Sequence, residues 1–240
     1  MVMDLVSEHR PLALALGAVQ DQSVVRLEAH GTLTGGSFAA IWGANRPYTF
    51  LATAEPVEIL STLAGDNPAG TGMGTCRIHG LDSARLPISE DVTMAGTTPV
   101  LTAASFYRVQ HLEGLTFGST NVNRGAITVR RSSDATKHLG HMNASDCVSG
   151  HAHYSVPAGY RLVVLGWTFY GQSINSDVRL RVEEPGRAVR YLNRHRFYNA
   201  QDCSVQPAPR EELAANADIV MESNSAGIMA VSLVGHLRKE

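Results

Sequence analysis

Val178-Arg-Leu-Arg-Val-Glu183 sets apolar and charged residues in strict alternation. A strand turns successive side chains to opposite faces, so Val178, Leu180 and Val182 share one side and Arg179, Arg181 and Glu183 the other. This is the pattern of a half-buried strand with one wet face. Working outward, Arg161–Thr168 is more continuously apolar and is expected as a core strand, and Met229–Leu237 aligns Met229, Val231, Leu233 and Leu237 on one face. Further strands are expected at Val24–Ala29, Tyr48–Leu51, Val57–Ser61, Cys76–Leu81, Asp91–Ala95, Ser105–His111, Ala126–Arg130, His151–Val156, Ala188–Leu192 and Asp218–Glu222.

Turn formers separate these stretches at short intervals: Gly35-Gly36, Asn67-Pro68, Ala95-Gly96, Asn123-Arg-Gly125, Pro157-Ala-Gly159 and Pro185-Gly186. Many short strands at this spacing predict an all-β fold, an antiparallel β-sandwich of jelly-roll type. Only Arg210–Asn216 reads as helical, for about two turns. No long helical period alternates with the strands, which argues against a parallel α/β fold. The turn-rich Gly65–Gly74 suggests a division into residues 1–64, an extended N-terminal arm with the first strands, and 65–240, the main sandwich; the same loop also fits inside one continuous domain. Met1–Val19 has scattered apolar residues without a period, as expected of an arm that orders against a neighbour.

The chain of 240 residues is 44% hydrophobic and 18% charged, a globular balance, and its formal net charge of -2 comes with no basic block. No specific nucleic-acid binding is expected. No stretch approaches the roughly 20 apolar residues that span a bilayer, and Met1–Leu5 lacks the basic region of a secretory signal. A protein soluble where it is made, without a membrane partner, is expected. Cys76, Cys147 and Cys203 form no C-x-x-C pair, so they read as buried free thiols, with a Cys147–Cys203 bond or an intersubunit bond as the alternatives.

Several groups invite a catalytic reading. His151 and His153 are two apart, which puts them on one strand face at a spacing that suits a metal, and His138 and His141 lie nearby. A cupin-type site also needs a downstream carboxylate, and Tyr154-Ser-Val-Pro-Ala-Gly-Tyr160 offers none. Solvent-facing or interface histidines are the simpler expectation. Glu183-Glu184, Glu211-Glu212, Glu90-Asp91 and Asp82 are candidate acids for glycoside hydrolysis, a chemistry that depends on a spatial separation sequence does not reveal. Gly70-Thr-Gly-Met-Gly74 lacks the lysine and following helix of a phosphate-binding loop and reads as turn. No G-x-S-x-G elbow is present. No enzyme activity, catalytic residue, metal or cofactor is therefore expected. The expected contact surface is the cluster Arg187, Arg190, Tyr191, Arg194, Phe197 and Tyr198, because arginine and aromatic residues together favour interfaces. Such a platform also suits a sugar.

Gly70-Thr-Gly, Cys76-Arg-Ile-His-Gly-Leu-Asp82, Ile88-Ser-Glu-Asp-Val-Thr-Met-Ala-Gly-Thr-Thr-Pro-Val100 and Phe106-Tyr-Arg-Val109 stand in succession. In these motifs the chain resembles a family of tailed-bacteriophage virion proteins. The resemblance continues through Tyr154-Ser-Val-Pro-Ala-Gly159 and Asp177-Val-Arg-Leu-Arg-Val182, with Tyr48-Thr-Phe-Leu51 and Glu55–Ile59 upstream. It implies a β-sandwich component of the particle, such as a head decoration, cement or vertex protein, often a homotrimer, whose partners are the major capsid protein or other virion proteins. It implies no catalytic residues. A receptor- or glycan-binding module of a fibre, tail or neck is the alternative within the same particle, and a cupin-like metal enzyme a third reading.

Overall fold

The computed structural model describes residues 22–44, 48, 50–171, 176–197, 203–205 and 211–240; at 22, 176, 193–195, 197 and 203–205 it describes the backbone alone. The expected arm before residue 22 and Tyr198 lie outside these residues. The first strands are β1 (Gln22–Thr34), β2 (Ala39–Ala40), β3 (Glu55–Ser61), β4 (Met73–Leu81), β5 (Pro87–Thr93) and β6 (Val100–Phe106). Then come β7 (Arg108–Phe117), β8 (Ile127–Arg131), β9 (Asp134–Met142), β10 (His153–Ser155), β11 (Tyr160–Gly171) and β12 (Ser176–Glu183). The last are β13 (Arg190–Phe197), β14 (Cys203–Val205), β15 (Glu211–Leu213), β16 (Asp218–Ser223) and β17 (Ala226–Lys239). Among the described residues there is no helix, and the strand pairings are antiparallel. The all-β expectation holds.

Four sheets result. The first runs β1-β17-β11-β14 with β15 also on β11; the second runs β10-β16-β12-β13 with β2 on β16. The third is β6-β3-β8-β9 and the fourth β5-β4-β7. Buried side chains pair these sheets. Val25, Leu33, Leu162, Trp167 and Phe169 of the first meet Val178, Leu180, Val182, Ile219 and Met221 of the second in one core. Val57, Ile59, Phe106 and Val129 of the third meet Cys76, Ile78, Val92 and Leu112 of the fourth in another. Each core is thus a sheet-on-sheet sandwich. The first is made by the two ends of the described chain, and the second by a continuous stretch, Leu51–Met142, inserted between them. Gly65–Gly74 lies inside the second core's connectivity, joining β3 to β4.

Val178, Leu180 and Val182 are buried and Arg179, Arg181 and Glu183 half-exposed, as the alternation predicts. Three expectations need correction. Glu211–Leu213 is strand, not helix: Leu213 is fully buried opposite Leu162, and Asn216 turns the chain at a φ of 65°, so packing overrides the helical preference of Glu-Glu-Leu. Tyr48, Phe50 and Leu51 are outside any strand; the two rings pack with Trp42 and Val220 at the junction between the sandwiches, and Leu51 enters the second core. Ser105–His111 is broken at Tyr107 into the end of β6 and the start of β7. Cys76 is a buried free thiol and Cys147 a half-buried one, so Cys147 is not bonded to Cys203.

The Gly65–Gly74 loop is shaped by a buried carboxylate. Asp66 accepts from the Ser61 hydroxyl (2.6 Å) and from the backbone N–H groups of Met73, Arg124 and Gly125, each at 2.8 Å. Gly72 is required beside it, since a Cβ there would sit 2.1 Å from Asp66 Oδ1. Burial alone would raise the carboxyl's pKa, but these donors outweigh it and hold it below the usual carboxylate value. A depressed carboxyl stabilises the fold above its unfolded value of about 3.9 and loses that contribution as pH falls below it. Asp66→Ala, which strands three buried N–H groups, is expected to lower unfolding free energy by about 3 kcal/mol in urea titration at pH 7. The deficit relative to wild type should shrink below pH 4; a deficit independent of pH would exclude the ionised form as the organiser.

Candidate functional site

The two sandwiches meet along a seam built from β10, β16 and the Ala40–Ala44 segment on one side and β7 and β9 on the other. At its centre Asp218 opens β16, ahead of the apolar run Ile219–Met221. Its carboxylate receives Arg108 Nη2 at 2.7 Å, Arg108 Nε at 3.1 Å, Arg85 Nη1 at 3.1 Å and the hydroxyl of Ser155. Arg108 and Arg85 belong to the inserted sandwich, Asp218 and Ser155 to the other. Arg108 Nη1 donates to the carbonyls of Leu51 and Tyr107, both at 2.8 Å, and Arg85 Nη1 to that of Asn216. The guanidinium of Arg108 lies over the Tyr107 ring at 4.0 Å and the Phe50 ring at 4.8 Å. Removing ions from water is costly, so a buried pair survives only when hydrogen bonds satisfy its polar atoms. That condition is met here. Gln110 adds a reciprocal pair across the seam: it donates to the Ser155 carbonyl at 2.8 Å and accepts from the Ser155 N–H at 2.9 Å.

Beside this ion pair lie the histidines that the sequence singles out. His151 and His153 are buried, not solvent-facing. Their rings stand 4.7 Å apart, around the fully buried Trp42, and Tyr48 stacks on His153 at 3.6 Å. Gly31 makes room for Trp42, since a Cβ there would lie 2.1 Å from the Trp42 carbonyl oxygen. The hydrogen bonds fix the ring protons. His153 Nε2 is 3.0 Å from the Val109 carbonyl, which only accepts, so Nε2 carries the proton. The His141 N–H donates to His151 Nε2 at 3.4 Å, leaving the His151 proton on Nδ1, directed at Ser149 Oγ 3.1 Å away. Burial pushes His153 down to about 4 and His151 well below its ordinary value; it also lowers His141 and His111. All four rings are neutral at pH 7. His138 lies on β9. Among the described residues no three His, Cys, Asp or Glu side chains converge as a metal site would require.

The candidate acids are held by structural partners. Glu184 is bound by Arg187 and Arg190, and its Oε1 accepts from the Ala214 N–H. Glu212 pairs with Arg238, and Asp91 with Arg77. Glu90 accepts from the backbone of Ala103 and Ala104, and Asp82 caps its own turn at Ala84 and Leu86. The arginines of the expected contact surface are ion-paired, with Arg187 and Arg196 still largely exposed. Arg187 and Arg190 hold Glu184, and Arg196 holds Asp177. Tyr191, 53% exposed, covers the Arg179 guanidinium at 4.0 Å, with Phe38 on that guanidinium at 3.6 Å. Arg194 and Phe197 belong to β13, described there as backbone.

A surface that the sequence reading missed lies on the outer face of the first sheet. Ile228, Ala230, Ser232 and Val234 follow one another along the outer side of β17, with Tyr170 beside Ala230 on β11 and Val24 on β1. Val148 faces the same region across a cleft of about 520 Å³ lined by His30, Asp146, Tyr170 and Ala230. Five of the ten exposed large hydrophobic residues among those described gather here: Val24, Val148, Tyr170, Ile228 and Val234. The signal was present in β17, where Ile228, Ala230 and Val234 put apolar residues on the face opposite Met229, Val231 and Leu233.

No known protein family matches the chain, and no curated protein does. Among solved structures, a viral particle of IBDV aligns over 95% of this chain and 78% of its own, at 10% identity and a TM-score of 0.19. Infectious bursal disease virus of the Gt strain aligns over 94% and 80%, at 9% identity and a TM-score of 0.17. Superpositions at these scores carry no weight for fold or role.

Asp218→Ala leaves two guanidiniums unpaired, one of them deeply buried. It is expected to cost about 3–5 kcal/mol in urea unfolding, and Arg85→Ala, whose partner keeps Arg108, clearly less. Equal losses in the two variants would contradict the assignment of Arg108–Asp218 as the principal link.

Proposed function

We propose that this protein is a structural component of a tailed-phage virion, a head decoration or cement protein that works as a homotrimer and bridges neighbouring capsid subunits without performing chemistry. The observation that carries the reading is the apolar outer face of the first sheet. A sheet of a free-standing sandwich turns polar residues to water; here Val24, Tyr170, Ile228 and Val234 stand exposed on that side among Arg26, Glu28, His30, Thr168 and Ser232, with Val148 beside them. Contiguous exposed apolar surface marks a protein contact. The phage resemblance of Gly70–Val109 names the kind of partner, a capsid or other virion protein. The inward-turned histidines and the structural partners of the candidate acids fit a body that binds and does not catalyse. Symmetry multiplies a modest contact of this kind over the particle.

Within this reading the arm before residue 22 and Tyr191 are secondary contacts. Tyr191 also favours a second reading, a glycan platform, because its exposed ring is held in place over Arg179. A glycan array separates the two: specific sugar binding abolished by Tyr191→Ala supports the second.

Ile228→Lys with Val234→Lys is expected to leave the melting temperature within a few degrees of wild type, since both side chains face solvent. Co-sedimentation with particles lacking the protein should fall at least tenfold. Undiminished occupancy would remove this face as the contact. Deleting Met1–Pro11 should weaken occupancy by a smaller factor.

A further inference from the structure

The seam carries six of the protein's ten histidines: His30, His79, His111, His141, His151 and His153. His79, His111, His151 and His153 form a connected path. His79 and His111 rings lie 5.5 Å apart, Ser149 Oγ joins His111 Nδ1 (3.5 Å) to His151 Nδ1 (3.1 Å), and His151 abuts His153. The side chains around His151 are imidazoles, a serine and Trp42. A proton arriving there meets bases and rings, and no carboxylate hydrogen-bonds to it.

We propose that this seam is an acid-sensitive latch: protonating His151 and His153 separates the inserted sandwich from the one built by the chain ends, leaving each sandwich folded.

The groups facing the two rings define the balance. From β7 they are Arg108, His111 and Glu113; from β9, His141; from β4, His79; and from β16, Asp218. The Ala40–Phe50 region brings Tyr48, the loop after β9 brings Asp146 beside His141, and β1 brings Arg26 and Glu28 to the cleft that His111 and His151 line. Asp218 is the carboxylate that favours a charge on His153, but two guanidiniums and Ser155 already occupy it, and Arg108 opposes that charge. Arg26 and Glu28 pair with each other, and Glu113 faces His79 at the rim. Asp146, beside His141, accepts from Asn143, and among the described residues no carboxylate hydrogen-bonds to His151 or His153. Opening would place both imidazoles in water, where they take up protons at their ordinary value near 6.5. The sign follows: histidines held neutral in the closed form stabilise it above that value, and the contribution is lost progressively as pH falls toward their depressed values, His153's being about 4. Neither apolar core contains a histidine, so the packing inside each sandwich does not carry this dependence.

Trp42 reports on the seam because it touches His141, His151 and His153, whereas Trp167 sits in the first core. In the full chain carrying Trp167→Phe, the Trp42 emission should shift red with a midpoint between pH 6.5 and 4. Over the same range the radius of gyration should rise while far-ultraviolet circular dichroism stays constant. His151→Gln with His153→Gln should displace the midpoint downward by at least one pH unit. Emission unchanged to pH 4, simultaneous loss of the circular dichroism signal, or the same midpoint in the double variant would each overturn the latch. Should that variant fail to fold, hydrogen–deuterium exchange at the imidazole C2 positions of the wild-type chain decides. Titration of His151 and His153 at the Trp42 midpoint supports the latch, and titration at a different pH refutes it.

Discussion

The buried contact of Asp218 with Arg108 and Arg85 is the constraint on which the arrangement of this molecule depends. Each sandwich has its own apolar core and needs no help in forming one. What has to be specified is how the two sit together, and apolar contact alone is non-directional. A carboxylate that must be met by guanidiniums from the opposite side, at fixed angles, allows one placement and penalises the others, because a slip leaves charges buried without partners. Ser155, Gln110 and the Arg85–Asn216 bond then lock the same register from neighbouring positions.

That directional contact explains the residues packed around it. Trp42 and Tyr48 seal the ion pair and the histidines from water, and Gly31 gives Trp42 its place against β1. The same exclusion of solvent that strengthens the charge pair keeps His151 and His153 neutral. The stability of the assembly and its response to acid therefore arise from one dry layer. On the far side of the first sheet the opposite choice has been made: apolar side chains are left in water at Val24, Tyr170, Ile228 and Val234, where only a partner would bury them.

Much of the fold was legible in the sequence, because period-two stripes such as Val178–Glu183 record which side of a strand is dry. They do not record which core lies on that side, so the division into an outer and an inserted sandwich was invisible. β9 escaped notice because Lys137, His138 and Gly140 dilute its alternation. Arg210–Asn216 misled because local preference points to helix while Leu213 is needed as a strand residue against Leu162. The histidines illustrate a different limit. Their spacing on one face was read correctly, but what covers that face comes from β7, more than forty positions earlier in the chain. The arginines Arg187, Arg190 and Arg196 were legible as a cluster, but their partners Glu184 and Asp177, just past the end and near the start of β12, were not. Arg108 was quoted as part of a motif, and a charge set within Phe106–Val109 was itself a sign that it meets a buried partner.

If the seam couples the two sandwiches as argued, they share one stability at neutral pH. Native-state hydrogen exchange of the wild-type chain tests this directly. The account predicts that the slowest amides of β3 and β4 in the inserted sandwich and those of β11 and β17 in the other open with one common free energy and one denaturant dependence. Two separate opening free energies, with the inserted sandwich exchanging on its own, would contradict it.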